Sequence, residues 1–313
     1  MRLDLLVGER YGLSRRAARD AVRAGRVDVS GETCDEPGIE VPADADLRYD
    51  PNRPERRRIR SQLRILAEDP LFLVVDKPAG VLSVQTAERE SDTLVSRAQA
   101  YLQHRYRRRA WVGIVHRLDK ETSGALVFAR TRPALHSLQE QFRAHRIERE
   151  YVALVEGDVA RAGVFDAPLV RDRGDLRRGV ARPGEPGLSA VTHYAPVERF
   201  GRATLVSVRL ETGRTHQIRV HFSAAGRPVI GDAVYRRRDG PPPPVAAPRQ
   251  MLHARTLGFA HPATGKLVRA ESPLPADFQG VLEELRRRHG ARIPDDKKKP
   301  RVSSGRFDRE PGT

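Results

Sequence analysis

The chain has 313 residues, 57 of them Lys or Arg and 41 Asp or Glu, for a formal net charge of +16. That length holds one large domain and a smaller one with an ample buried core, and the positive balance suggests a polyanionic partner. The single cysteine, Cys34, excludes an internal disulfide and a Cys-rich zinc site. The N-terminus shows no apolar signal-like core, and no apolar run approaches the ~20 residues that span a bilayer, so the expected location is the cytoplasm. Arg heavily outnumbers Lys, which GC-rich coding also produces, and the acids are too plentiful for a simple basic coat protein.

Residues 1–50 read as a small module. Apolar residues at helical spacing open it, from Leu3 to Val7. Ser14 is a good N-cap for a second helix that buries Ala17, Ala18, Ala21 and Val22 and stops at Gly25. Arg15, Arg19, Arg23 and Arg26 recur every three to four residues and form one basic stripe. Val27-Asp28-Val29 followed by Ser30-Gly31 reads as a strand entering a tight hairpin turn. Eight basic residues stand against eleven acidic ones over residues 1–50, a net charge of about −3. The stripe, not the module's overall charge, must therefore carry any contact with a polyanion; its alternative is an ordinary solvated helix face. Residues 51–62 read as a polar, proline-containing basic linker, either sliding over phosphates or acting as a plain tether.

From Leu63 the pattern becomes strand-rich, and residues 63–289 read as the second domain. Residues 71–75 form a near-continuous apolar strand, broken at Asp76-Lys77-Pro78-Ala79-Gly80, where Lys77 is placed to reach a phosphate. The Arg-rich run over residues 105–109 offers backbone contacts to a nucleic acid, or a solvated loop. Gly113-Ile114-Val115 and residues 125–129 read as buried strands on either side of a turn. Thr131 with Pro133 starts a helix carrying Leu135, Leu138 and Phe142 at core spacing. Alternation after Glu148 sets Tyr151, Ala153 and Val155 on one strand face, and taken alone Tyr151 is a half-buried strand tyrosine. Residues 171–186 and 241–244 read as long surface loops. Val206, Val208 and Leu210 line another strand face, Gly213 turns the chain, and Thr215 caps a helix with Ile218, Phe222 and Ala225 buried and Gly226 ending it. His216 and His221 point to different sides of a helix or a strand, so they read as hydrogen-bonded structural histidines rather than a zinc pair. Residues 290–313 read as a disordered, mildly basic tail.

The turn between residues 115 and 125 is the most informative stretch. His116-Arg117-Leu118-Asp119-Lys120-Glu121-Thr122-Ser123-Gly124 places one carboxylate, Asp119, on a loop fixed by rigid flanks, with turn chemistry from Thr122, Ser123 and Gly124. Arg117 and Lys120 set positive charge beside it, which favours the carboxylate that a nucleophile or base requires. On the four residues 116–119 alone, a surface loop with an Arg–Asp ion pair is an equally good reading.

The longer string closely resembles the catalytic motif of RluA-type RNA pseudouridine synthases. Val75-Asp76-Lys77-Pro78-Ala79-Gly80 is similar to that family's Val-Asp-Lys-Pro-x-Gly signature. Thr212-Gly213-Arg214-Thr215-His216-Gln217-Ile218-Arg219-Val220-His221 is similar to its Thr-Gly-Arg-Thr-His-Gln-x-Arg-x-His motif, and the strand of Tyr151 to a third. Such matches run from about residue 63 to residue 277; those at 226–232 and 252–254 read as scaffold. Residues 1–50 resemble the RNA-binding domain shared with ribosomal protein S-four, with Ser30-Gly31 where that family often has Asn-Gly.

The resemblance implies an α+β fold: a mixed, mainly antiparallel β-sheet core with peripheral helices, a cleft holding Asp119, Tyr151 and Arg214, and a small N-terminal α/β RNA-binding module. It implies isomerisation of uridine to pseudouridine in structured RNA, ribosomal RNA before transfer RNA, on a uridine flipped from its stack. Asp119 would act as nucleophile or base, Tyr151 would stack on the base or move a proton, and Arg214 would pair with Asp119. Ile218 would pack beside the tyrosine, while Arg117, Lys77, Arg15, Arg19 and Arg23 would bind RNA. Arg149 stands where the family typically has Lys, which keeps the cation but not the ammonium's point geometry. No metal or organic cofactor is implied, because the product is an isomer, and the enzyme would be a bacterial, cytoplasmic monomer. Two other classes fit the chain. One is a non-catalytic RNA-binding or ribosome-assembly factor; the other is a nucleoside hydrolase or glycosylase, with Glu121 as the nearest second acid.

Overall fold

The structure, a computed structural model, describes residues 1–53, 63–86, 90, 92–107, 109–172, 177–236 and 240–290. Most of the linker read over 51–62, and all but the first residue of the tail read over 290–313, lie outside the described residues. The N-terminal module runs α1 (Leu3–Tyr11), α2 (Arg15–Arg23), β1 (Val27–Val29), β2 (Glu32–Cys34) and β3 (Leu47–Tyr49), its strands ordered β2-β1-β3. Ser14 caps α2 by accepting from the Ala17 amide. Ala18, Ala21 and Val22 pack with Leu3, Leu6, Val7 and Val27. Ala17, expected inside, is exposed, because it lies on the solvent side of the first turn. Ser30 and Gly31 have φ of 50° and 80°, and Val29 pairs with Glu32 across them. Two consecutive positive φ values make the hairpin turn whose twist matches the flanking strands.

The second body contains β4 (Arg64–Glu68), β5 (Phe72–Lys77), α3 (Leu94–Tyr106), β6 (Gly113–Ile114), β7 (Ser123–Ala129), α4 (Arg132–Arg143) and β8 (Glu148–Glu156). It continues through β9 (Gly163–Asp166), β10 (Leu169–Val170), β11 (Gly179–Val180), β12 (Val191–Arg199), β13 (Ala203–Leu210), α5 (Gln217–Ala224), β14 (Leu252–Ala260), β15 (Leu267–Glu271) and α6 (Ala276–His289). Its main sheet has the strand order β4-β5-β7-β14-β8-β13-β12-β9, with β15 added on β14 and β6 on β7. Among the described residues only β14 and β7 pair in parallel within it, so the architecture is the mainly antiparallel α+β core expected. Among the described residues no helix is long and apolar enough to cross a membrane.

Both faces of the sheet are covered. Tyr151, Ala153 and Val155 of β8 pack with Val206 and Val208, with α3 through Leu94, Ala98 and Leu102, and with α5 through Ile218 and Phe222. Val152 and Leu154 point the other way, against Phe278, Leu282 and Leu285 of α6. Burial on both faces explains why β7, with every residue buried, reads as a continuous apolar run. Two features were not legible in the pattern. Helix α3 carries a reciprocal Thr93–Ser96 capping box, and β5 continues through Lys77 instead of breaking after Val75.

Candidate active site

The loop between β6 and β7 is pinned almost atom by atom. Ser83 Oγ donates to the Leu118 carbonyl and accepts from the Leu118 amide. The Gly80 amide donates to the Lys120 carbonyl. Arg249 donates to the Glu121 carbonyl, and the Gln250 side chain to Thr122 Oγ1. The Lys77 ammonium donates to the carbonyls of Pro78, Lys120 and Thr122, at 3.0, 2.8 and 2.7 Å. Gly124, with φ 122°, closes the loop where β7 meets β14; a Cβ there would lie 2.2 Å from the Ala254 carbonyl oxygen. The backbone around Asp119 is therefore fixed by groups far away in the chain.

Asp119 faces a cleft of about 480 Å³ lined by Arg117, Arg149, Tyr151, Arg214, His216 and Arg219, among others. Its side chain is 20 % exposed and accepts from Arg219 Nη1 at 3.2 Å; His216 Nε2 is 3.8 Å from its other oxygen. Arg219 is in turn held by Asp232, fully buried, through Nε at 2.7 Å and Nη2 at 3.0 Å. The Val234 and Tyr235 amides donate to the same Asp232 carboxylate. Burial opposes the charge on Arg219, but the two carboxylates outweigh it and raise the guanidinium above its ordinary value. His216 Nδ1 is 2.8 Å from the Tyr235 hydroxyl. Burial lowers the His216 imidazole, against the opposing pull of Asp119.

Tyr151 is buried at the cleft wall; burial raises its phenol, Asp119 adds to that and Arg149 works against it. His116 lines the same cleft, stacked on Phe142 at 4.5 Å between centroids, and accepts from the Val127 amide. Burial, with Arg149 nearby, pushes its imidazole down to about 3, so it is a neutral structural group.

The structure redistributes several expected roles. Arg219, not Arg214, makes the ion pair with Asp119. Arg214 lines the cleft but is exposed, and its Nε donates to the Ser189 carbonyl. The reason is where α5 begins. His216 takes a left-handed φ of 59° as its N-cap and makes no side-chain cap, so the first turn carries Arg219 inward and leaves Arg214 on the preceding loop. Gln217, not Thr215, ties that turn: its Oε1 accepts from the Arg214 amide and Thr212 Oγ1. Ala225, expected buried, lies exposed at the C-cap.

Lys77, expected to reach a phosphate, is instead fully buried, with its ammonium engaged by three carbonyls. Burial lowers it to about 7, with Asp119 and Glu121 acting the other way. Asp232, read as scaffold, is the second carboxylate of the site. Ile218 is buried in the same cluster as Tyr151 and lines the cleft, and Arg117 is exposed on the cleft wall. His221 is structural, bonded to Thr192 Oγ1 and the Ala167 carbonyl. Arg105 and Tyr106, in the run read as backbone contacts or a solvated loop, both engage Glu68. On α2, Arg15 and Arg23 are exposed, whereas Arg19 is half-buried 3.6 Å from Asp4.

A carboxylate held by a buried guanidinium beside a buried tyrosine, in a cleft large enough for a nucleobase, is equipped for covalent or acid–base chemistry on a ring-bearing substrate. The profile of the RNA pseudouridylate synthase family matches residues 71–224, and that of the S-four domain matches residues 1–47. Ribosomal large subunit pseudouridine synthase D of Pseudomonas aeruginosa is 42% identical over 234 residues, covering 72% of this chain and 72% of that protein. The protein of that name from Pasteurella multocida is 38% identical over 281 residues, covering 85% and 82%. Among solved structures, human RNA pseudouridylate synthase domain containing 4 superposes with a TM-score of 0.61 at 25% identity, covering 74% of this chain and 95% of that one. The chain belongs to the RluA-type RNA pseudouridine synthases: it is an RNA-modifying isomerase with an appended RNA-binding domain.

Proposed function

We propose that this synthase isomerises uridine within ribosomal RNA, with Asp119 as the group that acts on the ribose. The observation that carries this reading is the Asp119 carboxylate facing the cleft with Arg219 Nη1 at 3.2 Å. A partly buried carboxylate is costly unless paired, and Arg219, anchored on Asp232, supplies that pairing. The target uridine leaves its stack at a cost of a few kcal/mol, offset by phosphate contacts and by stacking on Tyr151. The bond from the ring nitrogen to the sugar breaks, the uracil rotates, and carbon-5 takes the place of the nitrogen. A proton leaves carbon-5 and one arrives on the freed nitrogen, so no net redox change or energy input is required. Asp119 either attacks the sugar or removes its 2′ proton; both routes need the ionised acid. Arg15 and Arg23 on α2, Arg117 and Arg214 at the cleft then serve the RNA backbone. We read the enzyme as a cytoplasmic monomer, which fractionation and light scattering check.

Asp119→Ala should abolish release of tritium from carbon-5 of labelled uridine in RNA while leaving RNA affinity near wild type. Turnover in that variant removes the role. Release of free uracil by the wild type would instead indicate a hydrolase, and equal rescue of a deletion strain by both forms a non-catalytic factor. Pseudouridine maps of total RNA from cells with and without the gene test the substrate; sites lost only from transfer RNA refute the ribosomal assignment.

A further inference from the structure

We infer that Arg149 holds the uracil anion that forms when the glycosidic bond breaks. The inference rests on the chemistry proposed above and adds a residue that acts on the base rather than on the sugar. Arg149 lies on β8 two residues before Tyr151, lines the cleft and is 8 % exposed. Its Nη2 donates to the Glu211 carbonyl at 2.8 Å and, more weakly, to the Leu210 carbonyl at 3.4 Å. Its guanidinium stands 5.5 Å from the centre of the Phe142 ring. Among the described residues no carboxylate forms an ion pair with it, Nη1 has no hydrogen bond, and Nε is buried without a partner.

The other buried guanidinium groups around the site are compensated. Arg219 has Asp232 and Asp119, and Arg249 has Asp277. A buried cation without a counter-charge is expensive to keep, and one lining a substrate cleft finds its partner in the substrate. The loop opposite makes room for it: a Cβ on Gly213 would lie 2.5 Å from Nη1. Any side chain at position 213 would push the guanidinium aside.

Cleavage leaves the bonding electron pair on the uracil, spread over its ring nitrogen and two carbonyl oxygens. The detached ring carries a full negative charge until carbon-5 has bonded to the sugar. Asp119 has the wrong sign to hold it, and Arg219 is spent on two carboxylates. Arg117 and Arg214 are exposed, where water weakens any field they supply. Arg149 is desolvated, lines the cleft with Tyr151 and has no counter-charge among the described residues, and a fixed cation beside developing charge acts mostly in the transition state.

The test is single-turnover glycosidic cleavage in RNA carrying uridine or 5-fluorouridine at the target; the fluorinated ring anion is more stable, and its carbon-5 has no proton to lose, so cleavage and not pseudouridine is read for both. With uridine, Arg149→Gln should slow glycosidic cleavage about 100-fold, with RNA affinity within about twofold of wild type and partial recovery in Arg149→Lys. Gly213→Ala, which changes no charge, should give an intermediate loss by displacing Nη1. With 5-fluorouridine the Arg149→Gln deficit should shrink about tenfold, because a better leaving group needs less help. A purely structural arginine would slow both substrates equally, and that result overturns the inference, as does an Arg149→Gln rate within twofold of wild type. If Arg149→Gln does not fold, Gly213→Ala carries the same comparison. Wild type and Asp119→Ala run alongside: an active wild type, an inactive Asp119→Ala and a wild-type Arg149→Gln sink this inference alone, whereas an active Asp119→Ala sinks the reading beneath it.

Discussion

Replacing Arg219 with Met should both unfold the enzyme early and stop its chemistry, whereas Arg214→Met should leave stability nearly unchanged. Three charge-assisted hydrogen bonds vanish with Arg219, at 2.7 and 3.0 Å to Asp232 and 3.2 Å to Asp119. Among the described residues Asp232 then keeps only the Val234 and Tyr235 amides as donors, still fully buried. Removing one member of such a buried pair costs about 3–5 kcal/mol, and the two surviving amide bonds place the expectation at the lower end. For a body of this size that corresponds to a fall in Tm of roughly 6–12 °C. Asp119 also loses its positioning partner, and a misplacement of about 1 Å costs on the order of 100-fold in rate. Arg219→Lys should fall between, since one ammonium cannot fork onto Asp232 and reach Asp119 together. Arg214 is exposed and bonded to the Ser189 carbonyl, so its loss should stay within about 0.5 kcal/mol. Urea denaturation and single-turnover kinetics on the three variants decide the matter. Equal destabilisation by Arg214→Met, or wild-type stability in Arg219→Met, refutes the assignment.

Lys77→Met should loosen the Asp119 loop and lower the rate, and its stability should depend on pH in a definite sense. Burial brings the folded-state ammonium to about 7 from an ordinary 10.5, so unfolding takes up a proton between those values. The wild type's margin over Lys77→Met should therefore widen from pH 7 upward, by at most about 1.4 kcal/mol per pH unit; urea melts showing a flat margin would contradict this. Tyr151 gives the opposite slope. Its phenol is raised by burial, so the folded state keeps a proton that the unfolded chain releases above pH 10. The stability of wild type relative to Tyr151→Phe should be intact below pH 10 and decline above it, and a margin that grows there would show the phenol is not buried in solution.

The sheet and the acid were legible in the sequence because both are local. Apolar runs such as residues 125–129 and the turn chemistry around Asp119 are written in consecutive letters. The arginine pairing was not, because Arg214 and Arg219 belong to one motif and differ only in their place relative to the first turn of α5. That turn is set by a left-handed His216 and by Gln217 bonding back to Thr212, contacts that no periodicity encodes. Lys77 misled for a related reason. A lysine beside Pro and Gly reads as exposed, and its burial depends on carbonyls at residues 120 and 122, 43 and 45 positions away. Asp232 lay in a string that read as scaffold, and only the fold brings it under Arg219. A lone acid directly after Val229-Ile230-Gly231 was the available signal.

The parallel seam between β7 and β14 has a consequence for how the enzyme is made. Arg249 and Gln250, which clamp the loop of Asp119, are 128 residues downstream of the groups they hold. A ribosome that has translated the acid, the tyrosine and both candidate arginines has yet to produce the strand that seats them. Each nascent copy thus carries the acid, the tyrosine and both arginines before the strand that lies between β7 and β8 exists, so competence waits on β14.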